Sequence, residues 1–434
     1  MRGRLGRPRP LSHVDGTHGA FAVTGRLVSA RRDIDTWRGL TAGPSGTAGA
    51  ELDRRAREDW YDTSWNPTAG CSAVGPGCDN CWAMRVAAQL ARMSGATGAR
   101  YRGLTRMERA GPAWTGEVRV RDDLLTWPLF RRQPRRIAVS LMSDLFHEVL
   151  TTATIDRVHA VIAVAHWHTF LVLTKRSQRM REYYGDPQTP RRIAEEIDKL
   201  APQIFASGGS QTSPPRRTAV PPIPTSTRGT GRGRRLSTTR HWTVGFSRVR
   251  YETRGTTPAT IWPVGLEPWP LPNLWPGVSV EDQSRIERIG DLLEMPAARR
   301  WVCFEPLLDR VMPEAVPTGE GYFDALAGGH YAIDGRGRSV ATQGPAWRPL
   351  DWVVASGEIG FGARPTQPDW LRALRDQCIV AGVPFFFGQW GEWAPASGEV
   401  VPALPLVRVG KRAAGRLLDG RSWDEMPEAA RPDE

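Results

Sequence analysis

The chain has 434 residues, enough for one large catalytic domain or two ordinary ones, and 40% hydrophobic content suffices for a core. No apolar run reaches membrane-spanning length, and the N-terminal arginines lead into no continuous apolar stretch, so neither a spanning segment nor a secretory signal is expected. The net charge of +12 points to nucleic acid, but residues 1–50 hold +5 of it and residues 205–262 hold +9, leaving −2 for everything else.

In chain order, residues 1–57 read as a basic, disordered extension. Residues 58–204 read as the first part of a catalytic domain. Trp60–Trp65 is a short strand that leads through Asn66-Pro67 into a cysteine-rich loop. Ala83–Met93 has helical spacing, Glu117–Val120 is a brief strand, and Asp122 or Asp123 caps a helix through Phe130. A repeat then sets in: strand Arg136–Met142, helix Ile155–Ala165, strand Thr169–Leu173, helices Gln178–Tyr184 and Arg191–Leu200. Residues 205–262 interrupt as a low-complexity insertion rich in Arg, Pro and Gly. Residues 263–395 resume with strands Trp275–Val280, Arg300–Phe304, Asp351–Ala355 and Val383–Phe387, and helices Ser284–Glu294 and Pro368–Ala381. Residues 396–434 form a C-terminal tail.

The later strands are nearly continuous apolar runs, as strands of a parallel sheet buried on both faces should be. Eight strands alternating with helices predict an α/β fold, a (β/α)8-like or partial parallel barrel of the TIM-barrel kind with an Arg-rich insertion. No glycine-rich dinucleotide fingerprint follows any strand, which argues against a doubly wound sheet. In a parallel barrel the C-terminal strand ends share one rim, where active sites sit. Ser143-Asp144, Lys175-Arg176, Glu281-Asp282, Glu305, Glu358 and Gln389-Trp390 all fall at such ends. Asp144 and Asp282 read equally well as helix N-caps.

Three of the five cysteines fall within Cys71-Ser-Ala-Val-Gly-Pro-Gly-Cys78-Asp-Asn-Cys81. Three thiolates can hold a metal or cluster and leave one position open. Zinc with a fourth ligand is one reading, with His147 as the best-placed histidine, although His147 could equally cap a helix. A 4Fe–4S cluster whose free iron takes a small chelating ligand is the other, the arrangement behind radical S-adenosylmethionine (SAM) chemistry. Cys303, in an apolar strand, and Cys378, on a helix face, read as packing residues. Five cysteines with three in one cluster do not form a disulfide framework, so reduced thiols and a cytoplasmic setting are expected.

The stretches SWNPTAGCSAVGPGCDNCWA, SLMSDLFHE, TKRSQRM, LPNLWPGVSVEDQ, FEPLL, DWVVASGEIGFGARP and PFFFGQWGEW resemble the phage Gp37/Gp68-like three-Cys-motif proteins, a family of unknown function that looks like a divergent relative of the radical SAM barrels. The resemblance covers roughly residues 58–204 and 268–395. It implies that Cys71, Cys78 and Cys81 ligate a cluster. It also implies that Glu281, Glu305, Glu358 and Lys175 are catalytic candidates, and that Ser143, Asp144, Arg176, Gln389 and Trp390 line the cofactor and substrate side. The chain departs from the radical SAM pattern in having six residues between Cys71 and Cys78, where three are usual. Within the family's own pattern, Ser356 replaces a Gly and Gly388 replaces a Lys.

The sequence therefore predicts a radical SAM-like iron–sulfur enzyme using a 4Fe–4S cluster and SAM. The alternative is a zinc-binding, nucleic-acid-binding or phage accessory protein without catalysis. Expected partners are nucleic acid at the Arg-rich segments and a partner protein, with no membrane. Solvated low-complexity sequence is the other reading of those arginines.

Overall fold

The computed structural model describes residues 59–206, 239–244, 247–254, 260–396 and 405–428. The expected extension over residues 1–57 lies outside the described residues, as do much of the insertion and parts of the tail.

Seven strands form one parallel sheet: β1 (Thr63–Trp65), β2 (Arg136–Val139), β3 (Thr169–Thr174), β4 (Leu274–Ser279), β5 (Trp301–Phe304), β6 (Trp352–Ser356) and β7 (Phe385–Gln389). Their order in the sheet is their order in the chain, and every pairing is parallel. The sheet curls into a half-barrel flanked by helices, a partial parallel barrel. The expected strand at Glu117–Val120 does not join it. Only Arg119–Val120 is extended, and it pairs antiparallel with Thr68–Ala69. Its alternation of charged and apolar residues suits a half-exposed ribbon, not a strand buried on both faces.

Side chains alternate along the strands as the pleat requires. Val139, Phe170, Phe304, Val353 and Phe387 face the main core with the flanking helices. Ala138, Leu171, Trp275, Trp301, Trp352 and Phe386 face the concave side, where Trp60 joins them. Trp301 lies over Gly277, so close that a Cβ there would be 2.4 Å from its ring. This tryptophan layer fills the N-terminal half of the lumen, and the polar strand ends sit above it.

The flanking helices are α1 (Trp82–Ala91), α2 (Thr152–Val164), α3 (Ser177–Gly185), α4 (Thr189–Ala206), α5 (Glu287–Glu294) and α6 (Pro368–Ala381). Thr151 caps α2 by accepting from the Thr154 amide. Gly382, at φ +70°, closes α6 in the left-handed region. The helix expected from Asp122 to Phe130 is divided: an α-turn at Asp122–Leu125 precedes a 3-10 turn at Trp127–Phe130, where Pro128 cannot continue the hydrogen-bond ladder.

The insertion ends in an antiparallel sheet of Thr239–Val244, Ser247–Arg254 and Thr260–Glu267. A second antiparallel sheet (Val316–Pro317, Tyr322–Phe323, His330–Ile333, Ser339–Thr342) lies between β5 and β6. The C-terminal stretch docks on the outer strand: the Phe387 amide donates to Trp423 O and the Glu425 amide to Phe385 O. No helix among the described residues is long and apolar enough to cross a membrane.

Candidate active site at the cysteine loop

The loop leaves β1 through Thr68–Ala69 and returns into α1. Gly70 sits at φ +96°, where a Cβ would lie 2.1 Å from Glu117 O, so no other residue fits without moving the chain. Pro76–Cys78 forms a 3-10 turn, closed by the Cys78 amide donating to Gly75 O at 2.9 Å. Cys81 is the N-cap residue of α1. All three thiols are free and half-buried. Burial, reinforced by the nearby Asp144, pushes the Cys71 thiol up to about 12, with Arg176 pulling the other way. The other two sulfurs also act on Cys71, and Lys175 acts on Cys81.

Three ionic clamps hold this loop. The first is built on Arg176, the second residue after β3. Its guanidinium reaches Ser72 Oγ (2.7 Å), Ser72 O (3.3 Å) and Cys71 Sγ (3.8 Å), and is anchored by Asp144 (3.0 Å) and Glu148 (2.8 Å). Asp144 also accepts from the Phe146 amide and the Thr174 hydroxyl, but no helix starts after it, so it stabilises a turn and an ion pair and is not the expected helix N-cap. Ser143 Oγ donates to Gly70 O at 2.7 Å. His147 Nε2 bonds Ser72 Oγ at 2.9 Å and its Nδ1 accepts from the Val149 amide, so both ring nitrogens have partners.

The second clamp is Glu281, whose side chain is fully buried. Lys175 Nζ lies 2.8 Å from one carboxylate oxygen and Arg288 2.9 Å from the other. Gly77 rests on this carboxylate: a Cβ there would come 2.4 Å from Glu281 Cγ. The third is Glu358, paired with Arg364 at 2.5 Å and accepting from Asn80 at 3.2 Å. Arg364 continues to Pro76 O at 2.8 Å, and Asn80 to Gly362 O at 2.9 Å.

Between loop and tryptophan layer lies a layer of polar side chains. Lys175 Nζ donates to Ser279 Oγ at 2.5 Å. Burial pulls the Lys175 pKa down, but Glu281 and Cys78 outweigh it and the ammonium stays charged. Glu305 is half-buried, with Cys303 Sγ 4.0 Å from Oε2 and side-chain hydrogen bonds to Trp60 and Ser356. Burial raises its carboxyl above the usual range, Lys411 opposing. Ser356 faces Gly388, where a Cβ would meet its Oγ at 2.5 Å. Ser356 and Gly388 thus form one packing unit: a hydroxymethyl on one strand fills space left by a bare backbone on the next.

The structure brings together Cys71, Cys78, Cys81, Ser143, Asp144, Lys175, Arg176, Glu281, Glu305 and Glu358. It gives Asp144, Arg176 and Glu358 hydrogen-bonded partners in the loop's support, while Glu281 is bonded by Arg288 and its Oε1 is met by the Lys175 ion pair alone. Trp390 turns the other way, packing on Phe387 in the main core and donating its indole N–H to Leu417 O at 2.8 Å. Gln389 is nearly buried, and its Oε1 has no hydrogen-bond partner among the described residues. Cys303 packs with the tryptophan layer on the concave side, while Cys378 packs in the main core. Sequence reasoning missed Asn80, Ser279, Arg288 and Arg364. The two arginines follow their glutamates by seven and six residues, a spacing without a motif; only the turn glycines of Gly357-Glu-Ile-Gly-Phe-Gly hinted that the chain folds back.

Fold and site define a parallel partial-barrel protein with a thiol-rich loop over its C-terminal rim. The chain belongs to the family described as protein of unknown function (DUF5131), whose model matches residues 55–427. No curated protein and no solved structure matches it.

Proposed function

We propose that this protein is a radical SAM-type iron–sulfur enzyme, with Cys71, Cys78 and Cys81 as ligands of a 4Fe–4S cluster. The observation that carries the reading is the placement of three free thiols on one clamped loop beside the polar strand ends at the C-terminal rim of a parallel half-barrel. The donor set fits: thiolates are the ligands such clusters take, and three leave one iron open. No three His, Cys, Asp or Glu side chains among the described residues are arranged to hold a single metal ion. A cubane needs no such centre, because each thiolate binds a different iron. The likeness to the phage Gp37/Gp68-like three-Cys-motif proteins belongs with this proposal, as does a reducing, cytoplasmic setting.

When bound, the cluster would supply one electron from an external reductant to SAM, breaking a carbon–sulfur bond and releasing methionine. The chain's own residues prepare that chemistry. Arg176, Glu281 and Glu358 fix the loop. Lys175 is the cation of this polar layer and suits a carboxylate or phosphate. Glu305, whose carboxyl burial raises above the usual range and which Trp60 and Ser356 hold, is the candidate for holding or releasing a proton. Gln389 offers an unmatched carbonyl.

Anaerobic reconstitution with iron and sulfide, followed by SAM and dithionite, tests the proposal. The expected products are 5′-deoxyadenosine and methionine, abolished by Cys71→Ala, Cys78→Ala or Cys81→Ala. Uptake of zinc with no iron–sulfur chromophore would sink it.

A further inference from the structure

Outside residues 1–50 and 205–262 the chain sums to −2, yet one folded lobe within that remainder is strongly basic. Residues 82–114 hold six arginines and one glutamate, with no lysine or aspartate, a net +5 that leaves −7 for the rest. The lobe comprises α1, a short helix Gly95–Tyr101 and a hairpin of Thr105–Glu108 with Gly111–Trp114. It grows directly from the cysteine loop. It begins at Cys81 and ends where the Gly116 amide donates to Cys71 O at 3.2 Å.

Arg92, Arg102 and Arg109 are exposed and form no ion pair with the described residues, whereas Arg100 and Arg106 pair with Asp123 and Glu108. Arg85 ties the lobe to the loop after β6. Its Nη2 donates to Asn80 at 3.1 Å, and it lies within 4.0 Å of where Cβ atoms at Gly111, Gly360 and Gly362 would be. That loop presents Phe361, 67% exposed, with the Arg408 guanidinium 5.9 Å from its ring. Exposed cations on a lobe that Arg85 ties to the loop carrying an exposed aromatic ring match single-stranded nucleic acid, whose phosphates need cations and whose unstacked bases need a platform. Duplex would meet the cations but leave the ring unused.

We infer that this lobe and Phe361 form a binding surface for single-stranded nucleic acid at the mouth of the cysteine-loop site. Binding needs neither cluster nor SAM, so its test stands apart from that of the proposed chemistry. The experiment is fluorescence anisotropy of the full chain with a labelled polypyrimidine DNA of about 20 nucleotides, its RNA counterpart and a duplex, across a salt series. The triple variant Arg92→Glu, Arg102→Glu, Arg109→Glu is expected to lose about tenfold or more in affinity, with the salt slope reduced by about 2. Phe361→Ala is expected to lose roughly tenfold with the slope unchanged. Unchanged melting temperatures would show that both variants fold. The inference is overturned if the triple variant binds like the wild type. Equal binding of duplex with no effect of Phe361→Ala also overturns it, as does wild-type protein that binds none of the probes at physiological salt, which would point to an acidic protein instead.

Discussion

Arg176 shows how a rim residue can serve the site without touching substrate. Its guanidinium is buried, forks between Ser72 and two carboxylates, and lies beside the first thiol. Planar, multiply donating geometry makes it irreplaceable by lysine. Arg176→Met leaves Asp144 buried without its cation, and a loss of about 3–5 kcal/mol in unfolding free energy is expected. Urea titration checks this, and a loss below about 1 kcal/mol, the range of a surface pair, would refute the clamp. Glu305 carries the opposite electrostatics. Burial raises its folded pKa, so the folded state keeps the proton to higher pH than the unfolded chain does. Stability from this residue is therefore complete below the ordinary carboxylate value and falls as pH rises through the folded value. Glu305→Gln should become progressively more stable relative to wild type across that window. A stability difference independent of pH would show that the carboxyl is not perturbed.

At the scale of elements, the apolar strands were legible and their supports were not. RIAVSLM, TFLVL, RWVCF, DWVVA and VPFFF are runs that only a doubly buried parallel strand explains, and each holds a strand of the sheet. Glu117–Val120 misled because two charged residues alternate with two valines, which suits a ribbon as well as a sheet. In the insertion, Arg248-Val-Arg-Tyr-Glu-Thr-Arg254 alternates at period two, but composition overshadowed the pattern. The glutamates at strand ends were visible as polar punctuation. Their cations were not, because an ion pair across a turn leaves no periodic trace. The tryptophan layer makes its own prediction. Gly277→Ala would drive a methyl into the buried Trp301 ring, and a destabilisation of about 1–3 kcal/mol is expected by denaturant unfolding. An unchanged midpoint would mean that Trp301 can move aside.

At the scale of the molecule, the half-barrel separates two jobs. Its N-terminal half is packed with indoles and contributes stability, while its C-terminal rim carries the polar strand ends and the cysteine loop. The outer edge at β7 is covered by the chain's own C-terminal segment, which leaves fewer unpaired backbone groups there. Every clamp on the loop comes from a different strand end, β3, β4 and β6, so the position of the three thiols depends on the curl of the sheet that brings those ends together. That dependence is the main reason to read the loop as the functional centre. The decisive measurement is the iron, sulfide and zinc content of the full chain purified without oxygen. The account predicts about four iron and four sulfide per chain, lost on replacing Cys71, Cys78 and Cys81. One zinc per chain with no iron would contradict it.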